Sequence, residues 1–457
     1  MVHAKSRTGA AGDSYGFCAG PIIYGTEKIV KVDKLIIGGG ISGIFLGLEL
    51  MKQNDRNFLI LEKEDRPGGL CRSFKIGNLY YDIGAHALHK KAIESSKDLC
   101  QIIDVNKLYC QKRNAKVFIF NKLIPHPFQL HLFYAPLKIK LRCLVGYLTR
   151  GEKSYGNLFD WLRSEFGDQV CKYFLFPYNE KVWRTDLKNI STNWISRVST
   201  GSFKFLRGLF FAGDQNYSSN EYVYYPDKGG FENLFLEKTK QLESNIQVNC
   251  EIVEINLDNK CAITKDGKVF QYKCLISTLP IDLLFRKLIT KKDDRILGLI
   301  NQLEKVSGCL VTVLAKKSAS KLQRIYVPDS KYLAQRIILN SNSSQYLREQ
   351  DESVFSLEIS YKSADELPPE HQIIDNCKNL LKDLKLIERD DDIKEYRIEL
   401  IEYMYPTQTL NSINIMIGTK NYLKNYNCYS IGRFGSWNYA NVDGILDEVV
   451  SLVKTNL

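Results

Sequence analysis

The stretch Leu35-Ile36-Ile37-Gly38-Gly39-Gly40-Ile41-Ser42-Gly43 decides how this chain is read. An apolar strand runs straight into Gly-x-Gly-x-x-Gly, and a helical pattern follows through Phe45, Leu46, Leu48 and Leu50. A second apolar run, Phe58-Leu59-Ile60-Leu61, ends in Glu62. The unit is strand–helix–strand, with an acid about twenty residues after the glycines, the spacing of a dinucleotide fold. Gly38 permits the tight turn, Gly40 lets backbone approach a pyrophosphate, and Gly43 lets helix and strand pack closely. The helix start around Ser42 offers free N–H groups and the positive end of its dipole to phosphate. Glu62, with Lys63 beside it, is placed to accept hydrogen bonds from a ribose.

Arg66-Pro67-Gly68-Gly69-Leu70-Cys71-Arg72-Ser73 follows. A second Gly-Gly turn with basic neighbours here resembles the glutathione-reductase-type FAD fold of the amine oxidases and their relatives. That resemblance implies FAD as the cofactor and adds Gly69, Leu70 and Arg72 to its contacts.

The chain has 457 residues, enough for two or three domains. Apolar content of 44% with 25% charged residues is that of a globular protein. Its net charge of +11 is scattered rather than blocked, which argues against a nucleic-acid stripe and suits an anionic small ligand. The twelve cysteines form no Cys-x-x-Cys and no zinc spacing with histidine, so free thiols in a reducing cytoplasm are expected. No run of eighteen apolar residues suggests a membrane span. Neither a Ser/His/Asp triad, a carboxylate pair nor a metal cluster stands out, which fits a reaction carried by a cofactor.

The fold class expected is α/β: a Rossmann-like FAD-binding domain with an inserted helical domain and an antiparallel β-sheet substrate domain. Residues 1–31 read as a mobile extension. The FAD-binding domain takes 32–112, 222–285 and 399–457, and the sheet domain takes 113–132 and 286–398. Residues 133–221 form the helical domain, from the helical spacing of Leu158, Trp161, Leu162, Val170 and Phe174. Val311–Ala315, 324–327, Arg336–Leu339 and 353–361 read as strands with polar turns between them.

Several short motifs, in order, resemble those of UDP-galactopyranose mutase, in particular its eukaryotic-type branch, within the protoporphyrinogen-oxidase-like flavoproteins. Phe176-Pro177-Tyr178-Asn179-Glu180-Lys181-Val182-Trp183, followed by Trp194 and Arg197, carries it most strongly. The likeness extends over about residues 32 to 448. It implies roles residue by residue. His86, in Tyr81-Asp82-Ile83-Gly84-Ala85-His86, falls at the histidine near the isoalloxazine. Pro127-Phe128-Gln129 matches the nucleobase element and brings in Gln129, but His126 stands where the eukaryotic-type enzymes have tyrosine, which leaves the base open. Phe174 matches a base-stacking phenylalanine, Asn179 and Trp183 residues near the ribose, and Asn220 a substrate asparagine. Tyr326, Arg336 and Tyr405 match a diphosphate clamp. Arg433 and Tyr439, in Gly432-Arg433-Phe434-Gly435-Ser436-Trp437-Asn438-Tyr439, match the C-terminal flavin and substrate motif, and Gly432, Asn441, Val442 and Asp443 join the flavin set with Val253. Arg197 follows Trp194 one residue earlier than in the eukaryotic-type enzymes, and counts with His86 and Arg336 as catalytic.

The resemblance implies a flavin-dependent nucleotide-sugar pyranose/furanose mutase serving cell-surface glycan synthesis. Reduced FAD, with NAD(P)H as the electron source, attacks the anomeric carbon through N5 and a nucleotide diphosphate leaves. The partner implied is a nucleotide diphosphate sugar, and a homo-oligomer stays open. The rival is an FAD-dependent oxidoreductase of the amine oxidase or protoporphyrinogen oxidase type, which the dinucleotide motifs fit equally well. A phosphate clamp separates the two, because an oxidase of a neutral or cationic substrate has no use for one.

Overall fold

The computed structural model describes residues 2–3, 29–195, 198, 200–213 and 222–457. Two sheets organise them. The first is seven-stranded. Its centre is Val30–Ile37, flanked in parallel by Phe58–Leu61 and by Val269–Ser277. Ile246–Gln247 adds in parallel outside Phe58–Leu61, and Cys428–Ser430 pairs in parallel with the end of Val269–Ser277. An antiparallel hairpin, Ile252–Asn256 and Cys261–Thr264, completes it. Leu35, Ile36, Ile60, Leu275 and Ile276 are fully buried, as parallel strands covered on both faces require. Helix Ile41–Lys52 crosses this sheet and packs against the C-terminal helix Val442–Asn456.

The second sheet has eight strands. Glu304–Lys316 lies between Ile393–Thr407 and Glu352–Tyr361, all antiparallel. Arg336–Leu339 and Arg324–Tyr326 continue antiparallel beyond Glu352–Tyr361. Ala115–Ile119 then joins in parallel and pairs with Lys122–Pro125. The sheet is therefore mixed by one parallel pair. Helix Glu370–Asp383 covers one face with Ile373, Ile374, Cys377, Leu380 and Leu381 buried.

Helices Leu137–Leu148, Leu158–Phe166 and Phe176–Trp183 form the insert. A π-helical turn over Cys171–Leu175 leads into the last of these.

Two expectations about organisation change, and a third gains detail. The boundary at 398/399 falls inside the strand Ile393–Thr407, which stays in the eight-stranded sheet to its end. Tyr222–Pro226, at the start of the stretch 222–285, forms its own small antiparallel sheet there, between Leu108–Lys112 and Leu88–His89. Within the 1–31 extension, Val2 and His3 pair with Ile401 and Leu400 at the edge of the eight-stranded sheet. Every described cysteine is a free thiol. No helix among the described residues is long and apolar enough to cross a membrane.

Candidate active site

The glycines do in three dimensions what their spacing predicts. Gly38 has φ +101° and donates to Leu61 O at 2.9 Å, closing the turn. A Cβ on Gly43 would lie 2.1 Å from Gly38 O, so only glycine lets this helix sit on this strand. Gly40 is different. A Cβ there would meet nothing nearer than Gly69 Cα at 3.8 Å, so the protein's own packing does not require glycine here and the space beside it is open. The second Gly-Gly turn folds onto the first: Gly68 N donates to Gly39 O at 2.8 Å. Glu62 is buried at the end of its strand, with Oε2 accepting from Gly39 N at 2.8 Å and Oε1 from Glu64 N at 3.0 Å. Burial raises its pKa against those two N–H groups. Lys63 pairs with Glu64, at 3.3 Å. Arg72 is buried over the Phe74 ring and donates to Gly69 O at 3.3 Å, while Leu70 packs between two apolar clusters.

The C-terminal motif returns to this cradle. A Cβ on Gly432 would lie 2.4 Å from Ser42 Oγ, so Gly432 sits directly on the first turn of the dinucleotide helix. Asn441 is the extended N-cap of Val442–Asn456, and its side chain makes no cap bond, so the N–H groups around Val442 and Asp443 open a second helix N-terminus. Val253 lies at a β-bulge and is 43% exposed.

His86 joins the two halves of the molecule. Its ring stacks on Phe231 at 4.9 Å, and its Nδ1 is buried without a hydrogen-bond partner. Burial, with the guanidiniums of Arg433, Arg324 and Arg336 behind it, pushes its pKa down to about 3, so the ring is neutral. Just before it in sequence, buried Asp82 accepts from Ser73 Oγ and Tyr225 OH, each at 2.6 Å, and from Phe231 N at 3.0 Å. Desolvation outweighs these bonds and lifts its pKa to about 6.

The clamp grows from the eight-stranded sheet. Tyr326 stands opposite Arg336, and Arg336 opposite Glu358, so all three share one face. Arg336 donates from Nε to Glu358 Oε2 at 2.9 Å, and from Nη2 to the same oxygen and to Tyr405 OH, the latter at 2.8 Å. Tyr405 OH also donates to Glu358 Oε2 at 3.1 Å. Glu358 is wholly buried, and its other oxygen has no partner. Tyr439 and Tyr405 meet edge-on at 5.7 Å with Trp183 against both, and the Arg433 guanidinium lies 4.6 Å from the Tyr439 ring. Arg433 donates to Ala440 O at 3.1 Å and leaves its Nε without a partner.

Beyond Tyr326 the site turns aromatic. The His126 ring stacks on Tyr326 at 4.3 Å. Tyr178 meets Tyr326 edge-on at 5.6 Å and stacks on Phe174 at 5.5 Å. Phe174 belongs to the π turn, a local widening found often at functional sites. Asn179 Nδ2 donates to Leu175 O at 2.7 Å, which occupies a carbonyl of that turn. Gln129 is buried with its Oε1 unpartnered. Arg197 and Asn220 lie outside the described residues.

Three charged residues absent from the sequence reading stand here: Glu358, Arg324 and Arg113. A signal for the first existed. Glu358 interrupts the apolar run Val354-Phe355-Ser356-Leu357-Glu358-Ile359, and an acid buried in such a strand needs a cation. Arg324 was within reach too, since it lies two residues before Tyr326 on one strand and so on the same face.

The fold joins a Rossmann-like dinucleotide-binding domain to a second, mixed sheet of eight strands. Residues 36–102 match the family of NAD(P)-binding Rossmann-like domains. The fold is that of UDP-galactopyranose mutase. A solved structure of the reduced form of that enzyme superposes with a TM-score of 0.84 over 94% of this chain and 96% of its own, at 23% identity. A double mutant of putrescine oxidase superposes with a TM-score of 0.65 over 93% of this chain and 100% of its own, at 14% identity. Among curated proteins, UDP-galactopyranose mutase of Mycoplasma genitalium is 23% identical over 236 residues, 49% of this chain and 55% of the relative. This chain thus spans about half the length of that relative. All-trans-retinol 13,14-reductase of Danio rerio is 34% identical over 73 residues, 16% of this chain and 12% of its own.

Proposed function

We propose that this chain is a flavin-dependent nucleotide-sugar mutase of the UDP-galactopyranose mutase type, exchanging the pyranose and furanose forms of a sugar. One observation carries this reading above the others. Arg336 is held by Glu358 and Tyr405 on the same sheet face as Tyr326 and beside neutral His86. That is an anion clamp, with phenol and guanidinium donors at fixed places, set against a dinucleotide cradle. An amine oxidase acting on a cation has no use for it.

The residues fit FAD. Gly40 leaves room for a pyrophosphate, and two helix N-termini, at Ser42 and at Val442, face that way with free N–H groups. Glu62 holds the ribose end, and Gly69, Arg72, Gly432 and Arg433 close the cradle. When bound and reduced, the flavin supplies the nucleophile toward the anomeric carbon. The chain's own residues do the rest. Arg336, Tyr326, Tyr405 and Tyr439 hold the diphosphate as it gains charge on leaving and keep it near for return. His86, neutral and wedged on Phe231, lines the sugar side without adding a positive charge. Phe174, Tyr178, His126 and Gln129 form the base pocket. Trp183 and its aromatic neighbours exclude water. Arg197 and Asn220 are assigned to diphosphate and sugar on the motif match, NAD(P)H is the proposed reductant, and the cytoplasm the proposed compartment.

The test is an anaerobic assay of dithionite-reduced protein on a panel of nucleotide sugars, resolved by chromatography. Ring isomerisation without net oxidation is expected. Hydrogen peroxide formed in step with consumption of an amine, with no isomerisation, would install the oxidase instead.

A further inference from the structure

We infer that Arg324 and Arg113 form a second cationic arm of the ligand site and grip the substrate's diphosphate together with Arg336, beside which Arg324 stands on the same sheet face. The inference rests on the mutase reading and adds to it two residues that no motif match supplied.

Placement comes first. Arg324 and Tyr326 alternate with buried Ile325 on one short strand, so both project from the face that carries Arg336 and Glu358. Arg113 lies between the strands Leu108–Lys112 and Ala115–Ile119. Its segment is stitched to the strand of Arg324. Gln323 N donates to Asn114 O at 2.8 Å, and Asn114 N donates to Gln323 Oε1 at 3.1 Å. Both arginines thus sit on hydrogen-bonded backbone rather than on a free loop. Arg324 is further fixed by a bond from Nη2 to Ala85 O at 3.0 Å, next to His86.

Charge comes second. Arg324 is surrounded by Arg113 and Arg336, with Tyr326 and Glu358 as the groups of opposite tendency. Three guanidiniums therefore share one buried carboxylate, and Glu358 is already spent on Arg336. Arg324 itself is pushed down to about 9, by burial first and then by Arg113. Burial would raise the Tyr326 phenol, yet Arg113, Arg324 and Arg336 together hold it below its ordinary value. His126, stacked on that phenol, is kept neutral by burial and by Arg113 and Arg324. A group of this kind is costly to leave unmatched, and a surplus of about two positive charges is what a diphosphate neutralises.

His126, where the eukaryotic-type mutases have tyrosine, stacks on the Tyr326 phenol at 4.3 Å and so stands beside the same guanidiniums.

The experiment is calorimetric titration of the FAD-loaded protein with inorganic pyrophosphate and with UDP, GDP and ADP, each nucleotide paired with its monophosphate. Arg324→Gln is expected to weaken pyrophosphate and the accepted diphosphate at least tenfold. The matching monophosphate should weaken less than threefold, and FAD content should be unchanged. Arg324→Lys should recover part of the loss. Arg113→Gln, on a segment between strands, should weaken the same ligands in the same direction by a smaller factor, which keeps the test open if Arg324→Gln folds poorly. Diphosphate binding unchanged in both glutamine variants overturns this inference and leaves the mutase reading standing. Parent protein that binds neither pyrophosphate nor any diphosphate overturns both.

Discussion

The dinucleotide cradle and the diphosphate clamp face one another but are built in different ways. The cradle is made of backbone. Its contacts are mostly N–H groups, close approaches at glycine and two helix N-termini, gathered in three short stretches around Gly38–Gly43, Glu62–Arg72 and Gly432–Asp443. The clamp is made of side chains carried on separate strands, Arg324–Tyr326, Arg336–Leu339, Glu352–Tyr361 and Ile393–Thr407, brought together only by sheet register. Damage to the first should thus be all-or-none and local, while damage to the second should be graded and shared.

The largest effects belong to the cradle, and two glycines separate its two duties. Gly43→Ala puts a methyl into Gly38 O and should cost about 3 kcal/mol or more, at the severe end for overpacking. Thermal melting should show a lower transition or no folded protein. A Cβ at Gly40 meets nothing nearer than Gly69 Cα at 3.8 Å, so Gly40→Val should leave the melting temperature of the flavin-free protein near the parent's, while flavin absorbance after reconstitution disappears. A yellow Gly40→Val protein would mean that the open space there is not the pyrophosphate's.

Next comes the clamp. Arg336→Ala should lose about 2–5 kcal/mol of diphosphate binding or transition-state stabilisation, measured as kcat/KM. It also strands Glu358, whose side chain is wholly buried, so the folded state should lose about 3–5 kcal/mol as well. Pairing Arg336→Ala with Glu358→Gln should restore much of the stability and none of the turnover. Arg336→Lys keeps the charge but not the fork and should stay impaired. Turnover recovered in the double variant would assign Arg336 to structure alone.

The cradle was readable because its geometry needs particular residues at fixed spacing: three glycines, an acid and a Gly-Gly turn, each with its own steric reason. Tyr326 and Arg336 were readable by motif, and their ten-residue separation becomes a direct cross-strand pair. Glu358 stands out as an acid in an apolar run, but that Arg336 is the cation beside it could not be read, because only register brings a strand twenty-two residues on against Arg336. The strand Ile393–Thr407 was cut at 398 for the same reason, since its polar outer half looks unlike its buried inner half. Tyr222–Pro226 was legible as a strand, but its partners were not, because its alternation is the same whichever strands it takes.

The smallest effects come from the two neutral histidines. His86 and His126 have pKa values pushed from 6.5 to about 3 by burial. Between those values the unfolded chain takes up protons that the folded chain refuses, so each costs up to about 1.4 kcal/mol of stability per pH unit as pH falls below 6.5. Asp82 works the other way. Its folded pKa, about 6, lies above its ordinary 3.8, so acidification from 6 toward 4 favours the folded state by one proton. Together these three leave the stability falling with about a one-proton slope between pH 6 and 4. His126→Tyr removes one histidine and should flatten that stretch, as denaturant unfolding at several pH values would register. The same variant should shift preference among nucleobases while diphosphate binding holds. An unchanged slope would show that His126 is protonated as readily in the folded chain as outside it.

Cradle and clamp are held to serve one reaction across the seam of His86 and Arg433, and a flavin spectrum reads that seam directly. FAD-loaded protein is titrated with the accepted nucleoside diphosphate, and visible absorbance is followed alongside calorimetric binding. A saturable change in the flavin bands, with the calorimetric midpoint and absent from Arg336→Ala/Glu358→Gln, is the result expected. Diphosphate binding that leaves the flavin spectrum untouched would make cradle and clamp two separate sites.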